Sequence, residues 1–159
     1  MAGLFSRWIL SRVTRSALAF ETESIETYRR LREQLGSEKS CGGPLHGGLC
    51  HLLEEEEQHW KILQDTADGK LSPDDLEKVL AGHLFGAMES IEPLAGEDLA
   101  RWGAELSQAL EQEEKTWIFY GNLRRMSKIP AVRKAFEVLA KMEKEHVDML
   151  RRFLGRERA

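Results

Sequence analysis

Two short motifs in this sequence place a carboxylate and an imidazole three residues apart, Glu56-x-x-His59 and Glu143-x-x-His146. On a helix that spacing puts both side chains on one face, under one turn from each other. Each pair is in phase with leucines, with Leu52, Leu53 and Leu63 in the first case and Leu139 and Leu150 in the second. A carboxylate on an apolar stripe is costly to bury unless it is paired, protonated or bound to metal. Glu21 and Glu113 stand in the same predicament, each followed seven residues later by a tyrosine, Tyr28 and Tyr120. Four carboxylates and two imidazoles in one place would suit two octahedral-preferring cations bridged by carboxylates. Each ion would have one terminal His and open positions for water or oxygen species.

These residues require helices. β-Branched residues are few, and apolar positions recur at three and four, so the chain reads as all-α. The first stripe is Leu18, Glu21, Ile25, Tyr28, Leu31 and Leu35, closed by Gly36. Five glycines between positions 36 and 48, with Pro44, predict a turn. The second helix carries Leu49, Leu52, Leu53, Glu56, His59, Trp60 and Leu63 and ends near Gly69. In its run Glu54-Glu55-Glu56-Glu57, helical phase turns Glu54, Glu55 and Glu57 away and leaves Glu56 in line. A third helix carries Leu99, Trp102, Leu106, Leu110, Glu113, Trp117, Tyr120 and Leu123, and a fourth begins at Pro130. Between the second and third, Ser72-Pro73-Asp74-Asp75 predicts an N-cap and a short connecting helix.

The long helices form a repeat. Ala17-Leu18-x-x-Glu21 with Tyr28 recurs as Ala109-Leu110-x-x-Glu113 with Tyr120, and Leu52, Glu56, His59 and Leu63 recur as Leu139, Glu143, His146 and Leu150. The chain is therefore expected to be two copies of one helical hairpin joined by a long crossover along a four-helix bundle.

With those motifs placed, residues 17–154 resemble the ferritin-like superfamily, and most closely the rubrerythrin-like di-iron carboxylate proteins. One Glu-x-x-His is a weak signature, whereas two, each downstream of a Glu with Tyr at plus seven, are specific. The resemblance implies a single ferritin-like bundle over residues 17–159. Its metal ligands would be Glu21, Glu56, His59, Glu113, Glu143 and His146, with Glu56 and Glu143 bridging and Tyr28 and Tyr120 orienting carboxylates. It implies two iron ions, with manganese or a mixed pair as the alternative. The implied activity is an oxidoreductase that reduces peroxide or dioxygen with electrons from an external donor such as a rubredoxin-type protein, and the implied assembly is a homodimer. A ferroxidase, iron buffer or store is the second reading, and a scaffold that keeps the site for stability is the third.

Three departures bear on the transfer. Rubrerythrins proper carry a cysteine-ligated rubredoxin iron, which Cys41 and Cys50 cannot build. They have an additional Glu one turn after the third-helix ligand, where this sequence has Thr116. Haem-binding relatives place a Met between the Glu and His of the second helix, where this sequence has Glu57 and Gln58, so haem is not expected.

Composition narrows the partners. Among 159 residues, 27 are acidic and 23 basic, a formal net charge of −4 that equals the number of inward glutamates. Nucleic acid is not an expected partner, because no cluster of Lys and Arg is available to replace counterions. With 42% hydrophobic residues the chain can form a core without disulfides, and two cysteines suit a reducing cytoplasm. Arg7, Arg12 and Arg15 make residues 1–16 a basic amphipathic segment. Such a segment could touch a membrane surface, but the reading adopted is an extension of the first helix. Glu23, Glu26, Glu111, Glu114 and Glu145 read as surface charge, and His46, His51 and His83 have no partner at ligand spacing. Cys50 reads as an inert thiol, and Trp8, Trp60, Trp102 and Trp117 as packing residues.

Overall fold

A computed structural model describes residues 2–36, 43–85 and 91–157, with side chains described from residue 11 onward. Cys41 and the side chains of Arg7 and Trp8 lie outside the described residues. Five helices follow one another, α1 (Ala2–Gly36), α2 (Pro44–Ala67), α3 (Pro73–Gly82), α4 (Gly96–Met126) and α5 (Pro130–Phe153), with no strand among the described residues. No helix of the described residues is long and apolar enough to cross a membrane.

Local chemistry explains most of the boundaries. α2 begins at Pro44, earlier than the glycine-rich stretch suggests. Proline presets the helical φ, and its missing N–H is one that a helix start leaves unbonded anyway. Gly47 N–H already donates to Gly43 at 3.2 Å, and burial of Leu45 and Leu49 offsets the ~1 kcal/mol that each of Gly47 and Gly48 costs a helix. Gly69 and Gly155, at φ +71 and +63, end α2 and α5 in the left-handed conformation. There Lys70 N–H reaches Asp65 and Arg156 N–H reaches Arg151, so the last carbonyls of each helix are bonded. Ser72 and Asp75 form the expected reciprocal cap at the start of α3, with Asp75 N–H donating to Ser72 Oγ at 3.1 Å.

The four long helices form a bundle of two helical hairpins. α1 packs along α2, and α4 along α5. The two hairpins meet along two thinner seams, α2 against α5 and α1 against α4. α3 lies on α5 through the fully buried Leu76 and a Lys134–Glu77 ion pair. At the other end of α5, Leu94 N–H donates to the Phe153 carbonyl at 2.8 Å. Two apolar clusters fill the bundle. One gathers Tyr28, Leu31, Leu49, Leu106 and Phe153, and the other Ala17, Ile62, Leu76, Tyr120, Phe136 and Leu139. Of the tryptophans, Trp102 is buried and Trp117 packs against the first cluster, whereas Trp60 lies 39% exposed and does not pack as expected.

Candidate metal centre

Each of the four long helices contributes carboxylate or imidazole to the buried interior. Glu21 comes from α1, Glu56 and His59 from α2, Glu113 from α4, and Glu143 and His146 from α5, all at most 1% exposed. They face one another because the stripe that buries Leu52, Leu63, Leu139 and Leu150 carries them inward at the same phase.

The six side chains sort into two sets around the two imidazole Nδ1 atoms. His59 Nδ1 donates to Glu143 Oε1 at 2.9 Å and lies 3.6 Å from Glu21 Oε2 and 3.7 Å from Glu56 Oε2. His146 Nδ1 lies 2.7 Å from Glu56 Oε1, 3.6 Å from Glu143 Oε2 and 3.8 Å from Glu113 Oε2. Glu56 and Glu143 thus turn one oxygen to each set, while Glu21 and Glu113 serve one set apiece. The rings of His59 and His146 stack with centroids 5.0 Å apart. Tyr28 donates its hydroxyl proton to Glu113, and Tyr120 to Glu21.

A hydrogen-bonded core would leave none of these atoms idle, because an unmet buried polar atom is costly. Yet Glu21 Oε2, Glu56 Oε1, Glu113 Oε2, Glu143 Oε2 and His146 Nδ1 are buried without a hydrogen bond. Glu56 Oε1 and His146 Nδ1 are close but not aligned to share a proton. Oxygens and nitrogens crowded together with lone pairs unused are what ligands of a cation look like. The residues therefore fit a metal site, with Glu56, His59, Glu143 and His146 mutually within reach of a cation.

Electrostatics records the strain of the metal-free cluster. Burial, then the charges of Glu143, Glu113 and Glu21, pushes Glu56 well above the usual carboxylate range. Burial and the neighbouring Glu143 raise Glu113 to about 7. Burial acts the same way on Glu143, but hydrogen bonds from His146 and His59 overcome it and hold this carboxyl at about 2. Burial disfavours charge on His59 and His146, yet the surrounding carboxylates raise both well above the usual imidazole value. The tyrosines stay protonated, raised by burial and by the adjacent glutamates.

A surface pocket reaches the centre at Glu113 and Tyr28. It has a volume of about 260 Å³, enters between α1 and α4 and is lined by Ser24, Thr27, Tyr28, Gln108, Gln112 and Glu113 among others. Thr116, one turn beyond Glu113, is buried and donates its hydroxyl to the Gln112 carbonyl at 3.0 Å, so it adds no carboxylate.

The structure departs from the sequence reading on the opposite side. Glu55 does not point away: it is buried, and its Oε2 accepts from His146 Nε2 at 2.8 Å. Burial works against its charge, but that imidazole, with His51 and His83, holds Glu55 at about 2. His51 and His83, expected to lack partners, lie 3.4 and 3.6 Å from Glu55 Oε1. Glu145, expected on the surface, accepts from His83 Nε2 at 2.8 Å. His46 Nδ1 lies 3.9 Å from the free thiol of Cys50.

Residues 105–159 match the family model for rubrerythrin. That stretch contains Glu113, Tyr120, Glu143 and His146, half of the ligand set with one of its tyrosines. No curated protein and no solved structure matches the chain.

Proposed function

We propose that this chain, whose C-terminal hairpin matches rubrerythrin, is a non-haem di-iron oxidoreductase that reduces peroxide or dioxygen with electrons from an external donor. The observation that carries the reading is the division of six buried ligands into two sets, each with one His, one terminal Glu and one oxygen from each of two shared glutamates. Two ferrous ions held there would supply two electrons together, so that H2O2 and two protons become two waters without a one-electron radical being released.

The protein's own groups divide the remaining work. Glu56 and Glu143, each with one oxygen in either set, would hold both ions. Glu21 and Glu113 would hold one each, oriented by the tyrosine that donates to it. The α1/α4 pocket, lined in part by Tyr28 and Glu113, is the route by which a small oxidant would approach. The apolar clusters on either side keep bulk water out.

The electron donor in this reading is a separate protein of rubredoxin type, the assembly a homodimer, and the compartment the cytoplasm. Anaerobic loading of two Fe(II) per chain, followed by H2O2, tests it. Peroxide loss with appearance of ferric near-ultraviolet absorption is expected, and the absence of both would overturn the reading. Thr116 at a position where rubrerythrins carry a carboxylate favours one alternative, a ferroxidase or iron buffer with iron itself as substrate. Iron uptake well beyond the ligand stoichiometry, in an assembly larger than a dimer, would support that alternative.

A further inference from the structure

The cluster on the far side of α2 from the α1/α4 pocket is not used by the reaction above. Here we propose a third cation site, mononuclear, with His51, Glu55 and His83 as its ligands and Glu145 as the residue that positions His83. It rests on the dinuclear reading only in sharing Glu55, which touches His146.

Two imidazole nitrogens flank one carboxylate oxygen, Glu55 Oε1, at ligand-to-ligand spacing, and donor atoms of Glu55, His83 and Glu145 lie within 4.8 Å of one another. Around a four-coordinate ion with bonds of about 2.1 Å, neighbouring donor atoms stand roughly 3.4 Å apart. His51 Nε2 lies 3.4 Å from Glu55 Oε1, and His83 Nδ1 lies 3.6 Å from the same oxygen. These are too long for good hydrogen bonds and right for two ligands of one ion. The other face of each ligand is already fixed. His83 Nε2 donates to Glu145 Oε2, which leaves Nδ1 with its lone pair toward Glu55. Glu55 Oε2 accepts from His146 Nε2, which leaves Oε1 for the outer ion. A carboxylate that orients a ligating imidazole from behind is the usual support of a metal-bound His.

The internal repeat makes an independent case. The two hairpins match at every inner ligand, but where the first has His51 and Glu55 the second has Val138 and Met142, both buried. Where the second has Glu145, the first has the exposed Gln58. His83 lies in the crossover, which occurs once. The symmetric inner set needs none of these four residues, which come together on one side of α2 and α5. Side-chain exposure falls from 26% at His51 to 9% at Glu55 and 0% at His146, a graded path from solvent to the inner centre. Two imidazoles and a carboxylate select a borderline divalent ion such as Fe(II), Zn(II) or Co(II) rather than Mg(II) or Ca(II).

Equilibrium dialysis of the metal-free full chain against Co(II), followed by metal analysis and visible spectroscopy, tests the site. The expected result is about three Co(II) per chain, one of them with the intense visible bands of four-coordinate cobalt. His83→Gln should remove that ion and its bands and leave the inner pair. His51→Gln, at a partly exposed position, should weaken the same ion at least tenfold and serves if His83→Gln does not fold. Glu143→Ala should empty the inner pair and leave the intense bands, so failure of the dinuclear reading and failure of this one are seen separately. Two Co(II) per chain in the unaltered protein, or a third ion indifferent to both histidine substitutions, would overturn the proposal.

Discussion

The hydroxyl of Tyr28, on α1, donates to Glu113, on α4. Tyr120 and Glu21 repeat the relationship in the opposite sense, so each hairpin's tyrosine holds the other hairpin's carboxylate. Tyr28→Phe keeps the ring that packs in the apolar cluster and removes only the donor. It leaves a buried carboxylate oxygen unmet, at a cost of about 1–3 kcal/mol. Binding of Mn(II) or Co(II) to the inner pair should weaken roughly 10- to 100-fold, as measured by titration. Tyr120→Phe should do the same through Glu21.

Much of this arrangement was legible in the sequence, for a physical reason. A glutamate in phase with Leu52 and Leu63 has nowhere to go but the interior, and the repeat supplies its counterpart. The narrow inward stripe that the leucine spacing predicts for α2 leaves Glu55 outside it. α2 is met on a second side by His83, which reaches Glu55, and Leu52, Glu55, His59 and Ile62 form a second buried row. The three- and four-residue steps of that row are visible in hindsight. What the sequence does not carry is the position of the crossover, so His83 could not be matched to Glu145 from spacing.

Glu56 should be a stability liability without metal. At pH 7 it is ionised in the unfolded chain, whereas the folded protein pushes it toward the protonated form. Glu56→Gln removes that conflict and should stabilise the metal-free protein at pH 7, with no gain at pH 4. With metal present the sign should reverse, because an amide is a poor bridge. Urea melts with and without a chelator distinguish the two states.

The pH dependence of the metal-free protein follows from shifts of opposite sense. Glu113, raised to about 7, contributes stability that is full below 4.5 and lost as pH rises through 7. That loss is about 3 kcal/mol. Glu143 and Glu55, lowered to about 2, contribute above 4.5 and lose their contribution as pH falls through 2. The metal-free protein should therefore be most stable near pH 4.5–5, and chelated samples should melt earlier at pH 7.5. Metal-loaded samples should not show that decline, since cations replace the protons, and loading should release protons to an indicator dye.

Leu76→Ala tests the support beneath the crossover. Leu76 is the one buried side chain of α3 and lies in the cluster with Ile62 and Leu139. The truncation should cost about 2–5 kcal/mol. It should also speed proteolysis between α3 and α4 while leaving the inner ligands in place, as limited digestion and metal titration would report.

The thin seams between hairpins bear on how the chain comes apart. Packing is dense within α1–α2 and within α4–α5, while the six inner ligands are split three and three across the divide. Bound cations would therefore act as a clasp between two otherwise self-contained cooperative units. When the clasp is loaded, the hairpins should open together in a single transition. When it is stripped, that same divide loses the contacts the cations supplied. Amide exchange should then report separation of the halves at a lower free energy than melting of either one.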